Sequence, residues 1–312
     1  MDRSAFLQAI RVPGGAQARD TCRPALQAPP SGQSKPVTNP NALVSRALAI
    51  LNEDNVTSDE IQPLRRARIA TEFGIKPVDL TLQRRVLSDG TECPLPIRYF
   101  DVQCLVATFL TELDSAAELL RGTGLQAVPQ EDGKGVVVLY FIEYRNTDIG
   151  PYNEVGLTVV AGVPGDPIPA NYVVNLPVTS AVANRAGREI WGYNKFVAAI
   201  DVRSDGKKFS TILRDTENVV VGALEGSRGA STPTPPADIL TFTVLNGRVT
   251  KTVIRVLTPF HTSSGESFVF KVGPSTHPMT NNLRTAALDG ARPVLVQYAD
   301  PLQALLFPGR AI

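Results

Sequence analysis

The decapeptide GREIWGYNKF, residues 187–196, sets one lysine, Lys195, among Trp191, Tyr193 and Phe196, with Arg188 and Glu189 just upstream. Two behaviours are open to a lysine in such company. It can lay its methylenes along the aromatic faces and keep its ammonium in water, in which case the segment is simply well packed. Alternatively, the aromatics strip water from the amine, favour its neutral form and make it a nucleophile toward a carbonyl carbon. The ten residues alone leave both open.

The elements that must position this lysine are strands. From about residue 96 onward the chain carries eleven stretches rich in Val, Ile, Phe, Tyr and Thr, from IRYFDVQCLVATF to PVLVQYA, punctuated by Gly, Asn, Asp and Pro. The Asp-Gly of SDGKK and the Asn-Gly of LNGR are the pairs that close tight hairpins. Short hairpin-linked strands predict an antiparallel sheet, and about eleven of them point to closure into a barrel or a sandwich. The stretch 136–144 is continuously apolar rather than alternating, so it is expected to be covered on both faces. Helices are expected at 115–121, where Ser115 and Glu118 have capping spacing, and at 280–289, ended by Gly290.

Upstream the texture differs. Residues 1–40 are rich in Pro, Gly and small polar residues and read as an irregular arm. Leu43, Val44, Ala47, Leu48 and Leu51 recur at helical spacing and predict a helix over 41–52, with a second within 58–73. Residues 1–87 are therefore expected to form an N-terminal extension, and residues 88–312 the β domain.

Composition narrows the partners. The 312 residues carry a formal net charge of +1, which provides no global field to attract nucleic acid or an anionic membrane. No apolar run is long enough to cross a bilayer, and the first residues lack a basic leader followed by an apolar stretch, so the chain is expected to be cytoplasmic. Cys22, Cys93 and Cys104 are odd in number and lack metal-ligand spacing, while His261 and His277 are isolated. Reduced thiols and no metal are the expectation.

The lysine segment does not stand alone. AGREIWGYNK resembles the lysine-bearing segment of the acetoacetate decarboxylase family, GPYNEV at 150–155 resembles the segment that carries a catalytic glutamate there, and IRYF at 97–100 resembles its early arginine segment. Order and intervals agree over about residues 90–310. The resemblance implies a mainly β (α+β) fold, a cone-shaped antiparallel β-barrel around a pocket, with Lys195, Glu154 and Arg98 as catalytic residues. Lys195 would attack a ketone as a neutral amine and form an iminium; Glu154 would shuttle a proton or orient the iminium; Arg98 would meet a substrate carboxylate or orient a glutamate. Trp191, Tyr193 and Phe196 would wall the pocket, with Arg188 and Glu189 supporting them from behind. A second family glutamate aligns with Leu139, and Glu143, four residues on along the same strand face, is the candidate to replace it. Family members also tend to form homo-oligomers.

Two departures bear on the chemistry. The second lysine of the family's pair is Phe196 here, and the proline before the pair is Asn194. Phe196 removes the like-charge repulsion that assists lysine activation in the family, which leaves desolvation as the remaining cause. The implied activity is a Schiff-base lyase acting on a keto acid other than acetoacetate, with decarboxylation favoured, and no cofactor, because the iminium is itself the electron sink. Aldolase-dehydratase or cyclase chemistry in the same pocket, and a non-catalytic barrel that binds an apolar carbonyl compound, are the alternatives.

Overall fold

The computed structural model describes residues 83–164 and 169–312. The arm over 1–40 and the helices expected at 41–52 and 58–73 lie outside the described residues. In chain order the first elements are β1 (Gln83–Val86), β2 (Glu92–Leu95), β3 (Ile97–Thr111), α1 (Leu113–Leu119), β4 (Gln126–Ala127), β5 (Gly135–Thr147) and β6 (Tyr152–Gly162). Next come β7 (Ala170–Asn175), α2 (Ala181–Trp191), β8 (Ala199–Ser204), β9 (Lys208–Arg214), β10 (Val220–Ser227) and β11 (Thr232–Thr234). The remainder comprises β12 (Ile239–Leu245), β13 (Arg248–Val256), β14 (Phe260–Ser264), β15 (Val269–Val272), α3 (Pro278–Thr285), β16 (Leu295–Leu306) and β17 (Arg310–Ala311).

Among the described residues, seven strands close into a barrel in the order β16–β3–β5–β6–β7–β12–β13. Closure is made by β13 against β16, through Ile254 opposite Leu306 and Val256 opposite Ala304. The ladder is antiparallel except between β7 and β12, where Thr241 and Phe242 pair with Asn171 and Tyr172 in parallel. A four-stranded antiparallel sheet, β15–β10–β9–β8, is separate from the barrel ladder. The Asn-Gly hairpin forms as expected: Asn246 (φ 51°) and Gly247 (φ 73°) join β12 to β13, and a two-residue turn with both φ positive selects this pair.

Two apolar clusters result. One fills the barrel interior and includes Ile97, Val102, Tyr144, Tyr152, Trp191 and Tyr193. The other packs the outer face of β3 and β5 against the four-stranded sheet, where Phe141 meets Phe209 and Phe270 at ring distances of 6.3 and 6.4 Å. Strand β5 is thus covered on both faces, with Leu139 and Phe141 pointing outward and Tyr140, Ile142 and Tyr144 inward. Its continuous apolarity has that origin.

The helices differ from expectation. Helix α1 begins at Leu113 behind Glu112, whose side chain makes no cap bond, so Ser115 lies inside the helix rather than at its start. Helix α3 starts earlier than expected because the His277 side chain accepts from the Met279 N–H and Pro278 occupies the first turn; it ends at Thr285, well before Gly290. Helix α2 is unforeseen, although it carries much of the lysine motif.

The buried thiols give the fold a pH signature. Cys93 and Cys104 are free, and burial pushes the Cys93 thiol up to about 11 from 9.0. Burial also raises Cys104 and the interior phenols of Tyr99, Tyr144 and Tyr152. These groups keep their protons in the fold after an unfolded chain has begun to lose them, so unfolding releases protons at alkaline pH. Melting temperature is therefore expected to be insensitive to these groups near neutrality and to fall as pH rises through about 9 to 11. A melt series that stayed flat across that window would contradict the burial assigned to them.

Candidate active site

The lysine and the glutamate reach one another through a short segment, Leu176–Val178, that both flank. Glu154 on β6 forms an isolated antiparallel bridge to Val178, and the Val155 N–H donates to the Pro177 carbonyl at 3.1 Å. On the other side the Leu176 N–H donates to Asn194 O and the Val178 N–H to Phe196 O, both at 2.9 Å, which holds residues 194–196 alongside. Two residues 41 positions apart in sequence are thereby placed with Lys195 Nζ donating directly to Glu154 Oε2. Each is only 5% exposed.

Helix α2 fixes the lysine's own backbone. Ser180 caps its first turn by accepting from the Ala183 N–H, and Gly192 stops it in the left-handed conformation (φ 70°), turning the chain back toward the barrel. The Arg188 guanidinium donates to the Lys195 carbonyl at 2.9 Å, and the Asn194 amide donates to Val174 O at 2.8 Å. Trp191 donates its indole N–H to Phe307 O at 2.8 Å. Gly187 faces the lysine stem: a Cβ built there would lie 2.4 Å from both Cδ and Cε of Lys195. A glycine inside a helix costs roughly 1 kcal/mol relative to alanine, so this close approach accounts for its presence. Gly187→Ala is accordingly expected to displace the Lys195 side chain and lower any lysine-dependent activity by about tenfold or more while the helix itself becomes a better former. Unchanged activity in that variant would show that the stem has room to spare.

Glu154 is held at its other oxygen. The Tyr144 hydroxyl donates to Oε1 at 3.1 Å, and the Tyr144 ring stacks on Tyr152 at 4.3 Å and packs at a tilt against Tyr99 at 4.9 Å. Burial first, and the Glu154 charge second, hold the Tyr144 phenol well above its ordinary range, so it remains a donor throughout the neutral range. Lys195 Nζ lies 5.8 Å from the Tyr152 ring centre and 5.9 Å from that of Tyr193. The pair faces a cavity of about 100 Å³ lined chiefly by Ile97, Val102, Ile142, Trp191, Val256 and Leu302, together with the tyrosines. An amine and a carboxylate in contact inside an apolar enclosure can exchange a proton with little solvent competing, and the neutral amine so formed is the state that adds to carbonyl groups.

Of the residues expected from sequence, Lys195, Glu154, Trp191 and Tyr193 line this cavity. Arg98 does not. Its neighbours Ile97 and Tyr99 point inward, and strand alternation turns Arg98 to the other face, where its side chain and its backbone N–H both donate to the buried Asp148. Glu143 and Leu139 share a face, as expected, but it is the outer one: Leu139 is buried in the outer cluster, and partly exposed Glu143 lies 4.0 Å from Arg145. Inward positions on β5 fall to Tyr140, Ile142 and Tyr144. Phe196 also lies outside the cavity lining and packs on His277 with 4.2 Å between rings. Arg188 supports the lysine backbone, whereas Glu189 faces away and accepts from the backbone N–H of Ser88 at 2.9 Å. Sequence reasoning missed Gly187 and Tyr144; the first was signalled by a glycine inside a helical pattern, the second by nothing local.

The fold and the site together are a closed β-barrel with a lysine–glutamate pair buried in an apolar interior. The sequence model described as acetoacetate decarboxylase (ADC) matches residues 87–262, more than half of the chain, and the chain belongs to that family. Its fold is mainly β and of the acetoacetate decarboxylase type. The acetoacetate decarboxylase structure from Legionella pneumophila is similar, with a TM-score of 0.53 and 16% identity over 70% of this chain and 87% of that one. The enduracididine biosynthesis enzyme MppR, complexed with pyruvate, is similar at TM-score 0.53 and 15% identity, covering 72% of this chain and 93% of that one. No curated protein sequence matches the chain.

Proposed function

We propose that the protein is a Schiff-base-forming carbon–carbon lyase in which Lys195 is the nucleophile and Glu154 the proton-transfer group. The observation that carries this reading is the direct contact of Lys195 Nζ with Glu154 Oε2, both buried, in a largely apolar cavity. Glu154 takes a proton from the ammonium; the free amine adds to the substrate carbonyl carbon; the carbinolamine C–O bond then breaks as Glu154 returns its proton to the hydroxyl, releasing water and leaving an iminium. The iminium accepts the electron pair of the bond beyond the α carbon, giving an enamine. Protonation of the enamine carbon and hydrolysis of the resulting iminium then restore the lysine.

With Phe196 in place of a second lysine, the reading relies on Glu154 as the base that accepts the ammonium proton within the buried pair, not on like-charge repulsion. The bond broken is one carbon removed from the iminium in two reactions: loss of carbon dioxide from a β-keto acid, the outcome the family resemblance favours, and retro-aldol cleavage of a β-hydroxy ketone. The second has support from the neighbouring fold, because MppR is described with the condensation product of pyruvate and imidazole 4-carboxaldehyde, which is carbon–carbon chemistry between carbonyl compounds.

Borohydride reduction in the presence of a carbonyl panel, followed by peptide mass spectrometry, tests the reading. A reduced adduct on Lys195 is the expected result. Turnover that persists without any trappable adduct, or an adduct on another lysine, would refute it.

A further inference from the structure

We infer that the physiological substrate carries no negative charge: the site takes a neutral, largely apolar ketone or aldehyde rather than a keto acid, which sets decarboxylation aside and leaves the retro-aldol branch of the reading above. This rests on the Schiff-base reading above for the chemistry, but on the charge of the cavity for the substrate class. Among the described residues that line the cavity, the only side chains charged at neutral pH are Lys195 and Glu154, and they neutralise one another. Arg98, the residue the family resemblance would assign to a substrate carboxylate, is outside the lining and donates to Asp148 through Nε and Nη2. Arg188, the other nearby cation, is engaged by the Lys195 carbonyl.

Several uncharged groups around the cavity are engaged as well: Tyr144 donates to Glu154, Tyr193 shares a hydrogen bond with Thr241 at 3.0 Å, and Thr158 donates to the Val138 carbonyl. The phenols of Tyr99 and Tyr140 also line the cavity and can hold a carbonyl oxygen, but they carry no charge to balance a carboxylate. A substrate carboxylate would therefore lose its water in an apolar enclosure without gaining a counter-ion. Iminium formation does not repair this, because the new positive charge already has Glu154 beside it. A neutral carbonyl compound meets no such penalty, and the lining matches it in character. The cavity is somewhat smaller than the roughly 150 Å³ that accommodates benzene, which limits the ligand to a compact molecule.

With such a substrate the first chemical events are balanced without a further reactant. Lysine amine, ketone and the proton that Glu154 took from the ammonium give iminium and water and return Glu154 to its carboxylate form. The α C–H proton passes to the Glu154 carboxylate while its electron pair enters the carbon–carbon double bond of the enamine. In D₂O the return of a deuteron to that carbon labels the ketone.

The test compares 2-pentanone with 3-oxohexanoate, the same ketone bearing a carboxylate. Trp191 is the sole tryptophan of the chain and lines the cavity, so its fluorescence reports occupancy whether or not a covalent bond forms. 2-Pentanone is expected to bind about tenfold or more tightly than 3-oxohexanoate and to exchange its α protons in D₂O in a Lys195-dependent manner. Equal or tighter binding of 3-oxohexanoate, or no response to either compound, would overturn the proposal. Preferential binding of 2-pentanone with no borohydride adduct on Lys195 would instead uphold the ligand class and remove the Schiff-base reading.

Discussion

Lys195→Arg is expected to leave the fold intact and abolish turnover. Arginine retains the positive charge and can still donate to Glu154, so the buried pair survives in electrostatic terms. What it cannot do is lose its proton, because the guanidinium stays charged across the whole accessible pH range. The variant therefore separates the amine as a nucleophile from the amine as a counter-ion. Loss of covalent catalysis together with its activating base removes on the order of a thousandfold or more of rate. The measurement is turnover of the best carbonyl substrate alongside the melting temperature and borohydride trapping. A variant that melts near the parent, forms no adduct and is inactive fits the proposal. Arginine supporting more than about a tenth of parental turnover would mean that the charge, not the nucleophile, is what the site uses.

The second large effect concerns stability. Two opposite charges each 5% exposed sit in surroundings that are otherwise apolar. Replacing one partner alone strands the other, at a cost of roughly 3–5 kcal/mol, whereas replacing both by apolar residues of similar size is often neutral or stabilising. Glu154→Leu is thus expected to destabilise strongly, Lys195→Met likewise, and the double variant to recover to about the parental value or above it. Urea denaturation of the four proteins closes the cycle. Additive losses in the double variant would indicate that each residue is held by its own surroundings rather than by the other. Recovery of stability in a protein without activity would show a pair retained for chemistry at the expense of the fold.

The parts legible in sequence were those encoded locally. Val- and Ile-rich stretches bounded by turn residues located the strands, because alternation and turn chemistry act within a few residues. The Asn246-Gly247 turn was readable for the same reason, since few residue pairs accept two positive φ values. Lys195 stood out by its aromatic neighbours. Helix α2 was encoded but went unread: its buried face of Ala183, Ala186, Gly187 and Trp191 opposes polar positions, and Ser180 and Gly192 mark its ends.

Which face of a strand meets the cavity was not readable. On β3, Ile97 and Tyr99 point inward, but register shifts around Asp101 reverse the parity so that Val102 and Cys104 do so next. Arg98 was placed in the pocket by its match to the family segment, whereas alternation with Ile97 and Tyr99 turns it to the other face. On β5 both faces are apolar, so the pattern identified Leu139 and Glu143 as sharing a face without saying that it was the outer one.

The sequence by itself determined the β character of the domain, the tight turns and the presence of one lysine in apolar company, since all of these are short-range properties of neighbouring side chains. Only the tertiary structure decided that Glu154 is that lysine's partner, that Gly187 gives its stem room and that Arg98 belongs to Asp148. Those outcomes depend on barrel closure and on the Leu176–Val178 segment lying between two distant parts of the chain, and contacts across such separations are set by packing rather than by any local preference.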